Sequence, residues 1–296
     1  MTAKIIDGKQ VAADMRAELK AEVARLKEQG IVPGLGVVLV GDDPASRSYV
    51  TGKEKACAEI GIYSDDNRLS ADTSQEQLMT LVEKMNADPK INGILVQLPL
   101  PKGLDESEVL LAINPNKDVD GFHPVNVGKM VVGEKAFLSC TPHGIIQLLV
   151  RSGVNTEGAE VVIVGRSNLV GKPLANMLIQ KNATGNATVT VCHTRTKNLA
   201  DHVRRADIVI AAAGRPGTVT ADMVKNGAVV IDVGVNRVED ATKKRGYRLV
   251  GDVDFEAIKE KASLITPVPG GVGPMTITML LYNTVESAKR SAGLAT

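Results

Sequence analysis

The stretch VVIVGRSNLVGKP, residues 161–173, decides how the rest of the chain is read. A run of β-branched residues predicts a strand buried on both faces, Gly165 ends it, and a helix start is predicted at Gly171. Strand, glycine turn and helix in that order form the place where a parallel sheet offers free backbone amides to a pyrophosphate. The usual GxGxxG spacing is altered, because Gly165 is followed by Arg166 and Ser167 and the next glycine is Gly171. Such a glycine also occurs for purely structural reasons, so the surrounding sequence has to decide.

Downstream, ATVTVC (187–192), ADIVIAAAG (206–214) and GAVVIDVG (227–234) read as further strands, with helices predicted near 171–181 and 198–205. Short apolar runs alternating with helices imply an α/β fold with a doubly wound parallel sheet, covered on both faces and joined by right-handed crossovers. In a site for NAD the second strand normally ends in Asp or Glu, which accepts a hydrogen bond from the ribose 2′-hydroxyl. Here it is followed by His193, Thr194 and Arg195. Nothing acidic repels a 2′-phosphate, and Arg166, Ser167, Thr194 and Arg195 can donate to one, so NADP is favoured over NAD. The competing reading is that Arg166 and Arg195 are solvated surface charges.

Upstream, apolar residues at helical spacing predict an amphipathic helix over 10–29, and LGVVLV (35–40) predicts a buried strand. Asp43 as cap and Pro44 at the first helical position predict a helix running to Gly61. A helix over 74–86 and a strand over 91–98 repeat the alternation. The segment KDVDGFHPVNVGKM, from Lys117, has no clear period and reads as an ordered loop, a candidate wall of an active site. A helix capped by Thr141 and stopped by Gly153 bridges to the second domain, and a helix over 274–290 crosses back. The expected division is therefore a small α/β catalytic domain, 1–140 plus 275–296, and a Rossmann domain, 141–274.

Composition removes other classes of function. Among 296 residues, 35 Lys and Arg balance 34 Asp and Glu, leaving a net charge of +1 and no field to attract nucleic acid or anionic lipid. Only 2% of residues are aromatic and none is Trp, which argues against base-stacking surfaces. The three cysteines, Cys57, Cys140 and Cys192, form no CxxC pair, which points to reduced cytosol. Charges arrive too early for a secretory leader, and no apolar run reaches the ~20 residues of a membrane span. Cys140 with His143, and Cys192 with His193, supply no convincing tetrahedral shell, so no metal is expected. Cys57 reads as helix packing, His123 as a loop residue and His202 as a surface residue.

On the helix from Pro44, Tyr49 and Lys53 are four apart and share a face with Ala56 and Ile60, so both are expected to point toward whatever the helix packs on. A lysine on an apolar face loses solvation, which lowers its pKa toward values useful for proton transfer. Spacing alone favours a lysine whose ammonium snorkels to water. Gln97, a lone amide at the carboxyl end of a strand, carries the same two readings.

SYVTGKEKACAEIGI, GILVQLPLP, NPNKDVDGF, VGRSNLVGKP and ITPVPGGVGPMT stand in order along the chain. Together they resemble the signature segments of the bifunctional methylenetetrahydrofolate dehydrogenase/methenyltetrahydrofolate cyclohydrolase family. The resemblance implies a folate site on the first domain, NADP on the second, a cleft between them, and a homodimer in the cytoplasm. It implies that Tyr49, Lys53, Gln97 and Asp120 are catalytic, and that Leu98, Pro99, Leu100, Gly270 and Gly271 join them in binding tetrahydrofolate derivatives. Gly165, Arg166, Ser167, Thr194, Arg195 and Val235 would hold the cofactor. Two departures are mild: Ser139 stands where the family often has proline, and Thr194 where serine is common.

The implied activity is NADP-dependent oxidation of 5,10-methylenetetrahydrofolate to the methenyl compound, then hydrolysis to 10-formyltetrahydrofolate. These are steps of one-carbon metabolism that feed purine, histidine and methionine biosynthesis. Two alternatives remain at this level. A shikimate-type NADP dehydrogenase also joins a small α/β domain to an NADP domain, and a non-catalytic NADP sensor would bind cofactor without turnover.

Overall fold

The computed structural model describes residues 2–243 and 246–294. In chain order, β1 (Lys4–Ile5) and α1 (Gly8–Glu28) precede β2 (Gly34–Val40), α2 (Pro44–Ile60), β3 (Tyr63–Leu69), α3 (Gln75–Ala87) and β4 (Gly93–Val96). Next come α4 (Glu106–Ala112), α5 (Pro124–Val132), α6 (Cys140–Arg151), β5 (Glu160–Val164), α7 (Gly171–Leu178), β6 (Thr188–Cys192) and α8 (Leu199–Arg204). The chain continues through β7 (Ile208–Ala211), β8 (Val229–Asp232), β9 (Asn236–Glu239), β10 (Tyr247–Val250), α9 (Phe255–Lys259), β11 (Leu264–Ile265) and α10 (Val272–Ser291).

Two compact units result: Ala13–Cys140 with Ile277–Thr296, and Met1–Ala12 with Thr141–Thr276. The division expected from sequence placed all of 1–140 in the first domain. The structure groups the first twelve residues with the other unit because β1 pairs in parallel with β11, Lys4 opposite Leu264.

The unit built on Ala13–Cys140 carries a three-stranded parallel sheet, ordered β3-β2-β4. Every residue of β2 is buried, as its unbroken apolar run requires of a central strand. Asp43 caps α2 by accepting from the Ser46 amide at 2.8 Å, and Gly61 ends the helix at φ +86°. A reciprocal capping box between Ser74 and Gln77 opens α3. The strand β3 was not foreseen: YSDDNRL has neither alternation nor an apolar run, yet it pairs with the whole of β2. It is the sheet's edge, where charged side chains are tolerated and discourage pairing with other chains.

The segment expected to be a loop holds α5, and this corrects the reading of His123. That residue is 8% exposed and caps the helix, its Nδ1 accepting from the Val125 amide at 3.1 Å. Helix α6 likewise starts at Cys140, so Thr141 lies inside its first turn, with its hydroxyl 2.9 Å from that of Thr276.

The other unit contains a six-stranded, wholly parallel sheet ordered β1-β11-β8-β7-β5-β6. Residues on both faces of β5, β7 and β8 are buried; on one face Val162, Val209 and Val230 pack with Val203 of α8 and Ile258 of α9. Because β6 and β7 lie on opposite sides of β5, the strand order reverses there, and the carboxyl end of β5 is the switch point where doubly wound sheets bind ligands. An antiparallel pair, β9 with β10, was also unforeseen, its residues being only partly buried.

Candidate functional site

In the unit built on Ala13–Cys140, helix α2 buries Lys53 to 9% exposure alongside Ala56 and Ile60. Its Nζ donates to Gln97 Oε1 at 3.0 Å. Gln97 leaves the carboxyl end of β4, where its backbone amide still donates to Val38 O at 2.9 Å, and its Nε2 donates to Leu98 O at 2.7 Å. An ammonium, which donates and cannot accept, fixes the amide with its oxygen toward Lys53. Leu98, Pro99 and Leu100 continue from there, Pro99 exposed and the leucines half-buried. Tyr49 departs from the expectation: one turn before Lys53, it is 54% exposed, so its ring is open to solvent and not packed with Ala56 and Ile60.

Asp120 faces the same amine. Burial pushes its carboxyl up to about 6, the Lys53 ammonium opposing, Asp118 reinforcing the rise and a hydrogen bond from the Cys140 thiol opposing it. Burial lowers the Lys53 ammonium below the usual lysine range, with Asp120 acting against the drop. Opposed shifts of this kind in neighbouring groups are the arrangement that proton-transferring sites use.

The turn bearing Asp120 is held by residues the sequence reading did not single out. Asp118, 2% exposed, accepts at Oδ1 from the amides of Gly121 (3.1 Å) and Phe122 (3.2 Å), and at Oδ2 from the His123 amide (2.9 Å) and Asn126 Nδ2 (2.8 Å). Asn283 of α10 donates to Val119 O at 2.7 Å and Leu138 O at 3.0 Å, and the buried Cys140 Sγ lies 3.3 Å from Val119 O. The KDVDG segment was the one signal for Asp118, while Asn283 reaches Val119 across 164 residues and left none.

In the unit built on Thr141–Thr276, Gly165 sits at φ +142°, and a Cβ there would strike the Ala212 carbonyl. No side chain caps the start of α7; the Lys172 amide donates to Ser167 O at 3.1 Å and Pro173 has no N–H, so of the first turn the Gly171 amide faces outward, while the Ser167 hydroxyl accepts from the Val170 amide at 3.1 Å. Arg166, Thr194 and Arg195 are exposed, and neither guanidinium pairs with a carboxylate among the described residues. The turn after β6 is braced by His193, whose Nδ1 accepts from the Arg195 amide at 3.1 Å. Val235, 53% exposed, follows β8. The Gly171 amide at the helix start, unpaired guanidinium groups and no carboxylate immediately after β6 fit a dinucleotide with an extra phosphate. Gly270 and Gly271 form the turn before α10, where the Gly271 amide donates to Pro267 O at 2.9 Å. Among the described residues no group of three or more His, Cys, Asp or Glu is placed to hold a metal, and no helix is long and apolar enough to cross a membrane.

Comparison with known families matches residues 6–120 to the tetrahydrofolate dehydrogenase/cyclohydrolase catalytic domain and residues 139–292 to the NAD(P)-binding domain of the same family. The chain belongs to the tetrahydrofolate dehydrogenase/cyclohydrolase family. Among family members, the bifunctional protein FolD of Syntrophus aciditrophicus (strain SB) is 60% identical over 294 residues, covering 99% of this chain and 100% of that protein. A crystal structure of the bifunctional enzyme FolD from Campylobacter jejuni superposes with a TM-score of 0.92 at 48% identity, covering 97% of this chain and 99% of that one. The Trypanosoma brucei FolD, solved in complex with NADP cofactor and inhibitor, gives a TM-score of 0.93 at 43% identity, with 99% of each chain covered. Family membership across both units decides against the shikimate-type alternative.

Proposed function

We propose that the protein is a bifunctional folate enzyme, which oxidises 5,10-methylenetetrahydrofolate with NADP and hydrolyses the product to 10-formyltetrahydrofolate. The observation that carries this reading is the buried Lys53 amine, hydrogen-bonded to Gln97 and opposed by Asp120. Family membership and the NADP-bound relative support it.

In the oxidation, the lone pair of a folate nitrogen expels a hydride from the bridging methylene: the C–H bond breaks and a C=N bond forms. NADP, when bound, supplies the acceptor for that hydride. No strong base is needed, so the work of this chain is alignment. Exposed Tyr49 is positioned to stack on the folate, Asp120 to accept from the pterin's ring and amino donors, and Leu98, Pro99, Leu100, Gly270 and Gly271 to line the substrate. Gly165 would let the pyrophosphate approach the backbone, Arg166, Ser167, Thr194 and Arg195 would hold the 2′-phosphate, and Val235 would line an apolar part of the dinucleotide.

Hydrolysis does require proton management. Water adds to the amidinium carbon, and the Lys53 amine takes the proton released as the C–O bond forms. That proton returns to the departing nitrogen as the C–N bond breaks, leaving the formyl group. Burial favours the neutral amine over the ammonium, and the Gln97 oxygen keeps its nitrogen in place.

Incubation with methylenetetrahydrofolate and NADP should produce the methenyl chromophore and reduced nicotinamide together, followed by decay of the chromophore. Binding of NADP with no turnover would return the protein to the sensor reading. The same proposal includes a homodimer in reduced cytosol, supplying purine, histidine and methionine synthesis. Three free, buried cysteines support the compartment, and light scattering on the purified protein tests the dimer.

A further inference from the structure

Two buried carboxylates lie at the carboxyl edge of the six-stranded sheet, outside the residues assigned above. Asp232 ends β8 at 2% exposure, and Asp252, just beyond β10, has none. Asp252 Oδ2 accepts from the amides of Ala213 (2.7 Å) and Gly214 (2.8 Å), in the turn after β7. Its Oδ1 accepts from Asn236 Nδ2 at 2.9 Å, next in sequence to Val235. Asp232 holds Asp252 in turn: Oδ1 accepts from the amides of Asp252 (2.8 Å) and Gly234 (3.0 Å), and Oδ2 from that of Val253 (3.1 Å).

No cation is among these partners. Burying two carboxylates on N–H donors alone is costly, and apolar residues of similar size commonly serve stability as well or better. The backbone is nevertheless cleared to admit them, since a Cβ on Gly234 would run into the Asp252 carboxylate and one on Gly251 into that of Asp232. The turn they grip is also the one against which Gly165 is packed, through the Ala212 carbonyl. One acid thus joins three segments: the turn after β7, the start of β9 behind Val235, and, by contact, the glycine turn after β5.

The geometry points to Asp252 as a positioning residue for the dinucleotide, holding the turn after β7 against Gly165 and the backbone behind Val235, with Asp232 fixing Asp252 itself. This inference rests on the reading of this unit as the NADP site. A purely structural role would lower thermal stability and both activities together without altering the affinity for cofactor.

Steady-state kinetics on the full chain, varying NADP at saturating folate, separate the two roles. Asp252→Asn keeps the volume but turns an NH2 toward N–H donors. It should raise KM for NADP about tenfold while kcat changes less than about threefold, with cyclohydrolase activity as an internal control of folding. Asn236→Ala removes one bond to Asp252 and should raise KM about three- to fivefold; it decides the matter if Asp252→Asn does not fold. Unchanged KM in the folded variants, with reduced stability alone, would overturn the inference and leave the NADP reading intact. Failure of the unmodified protein to turn over NADP would remove both.

Discussion

At Lys53 two demands compete: burial favours the neutral amine, and Asp120 favours the ammonium. The proposed hydrolysis needs the first to prevail during catalysis, so Lys53→Met should lower cyclohydrolase turnover by about 10²–10⁴, with the Kd for NADP within about twofold. Unchanged hydrolysis in that variant would take Lys53 out of the mechanism. Asp120→Asn removes the charge that holds the lysine's pKa up. The acid limb of the cyclohydrolase kcat/KM profile should therefore move to lower pH even as the overall rate falls. The stability of the same variant has a defined sign. The Asp120 carboxyl sits near 6 in the folded chain against an ordinary 3.8, so its favourable contribution is fully present below 3.8 and lost as pH rises through about 6. Asp120→Asn should accordingly be more stable than the parent at pH 7–8, by about 3 kcal/mol, since the rise from 3.8 to about 6 already contains the attraction to Lys53. Near pH 4 the two should melt at nearly the same temperature. Residue by residue, position on a helix face and at a strand end made Lys53 and Gln97 candidates, but spacing favoured a snorkelling lysine and a lone amide until the family resemblance paired them. Asp120 was reached through family resemblance. Asp118, Asn126, Cys140 and Asn283 were not found, because their roles lie in long-range hydrogen bonds that no local pattern encodes.

Among the elements, buried strands were easy to read and polar ones were not. The runs forming β2, β5, β7 and β8 are continuous and apolar because both faces are covered, whereas β3 and the β9–β10 pair carry charge at edges. Helix α5 was hidden because its cap is a histidine, outside the usual set of capping residues. Asp118→Ala should free the buried amides of Gly121 and His123, lower stability by about 2–4 kcal/mol, and weaken folate binding more than NADP binding; comparison of the two Kd values checks this. In the turns after β5 and β6, Arg166→Ala and Arg195→Ala should each raise KM for NADP about tenfold and barely change that for NAD. Equal losses for both cofactors would place those guanidinium groups on the shared part of the dinucleotide.

For the molecule as a whole, the α/β class, the parallel sheet and a discontinuous first domain were all visible in the order of the apolar runs. Assignment of the first twelve residues was not, since β1 is two residues long and its partner lies far along the chain. If the assigned unit binds dinucleotide, NADP at a hundred times its Kd should stabilise the protein by about 2.7 kcal/mol. Hydrogen exchange should then show the protection concentrated in Thr141–Thr276, and protection spread evenly over the chain would contradict the division of labour.

The pairing of Lys4 with Leu264 also has a consequence during synthesis. At roughly 5–20 residues per second, the ribosome delivers the second strand on the order of tens of seconds after the first. The helix residue Asn283, which tethers Val119, emerges later still. A nascent chain stalled near residue 260 would hold β8 without its neighbour β11 and the Asp120 turn without its anchor, so protease resistance should appear abruptly, only when these last segments clear the exit tunnel.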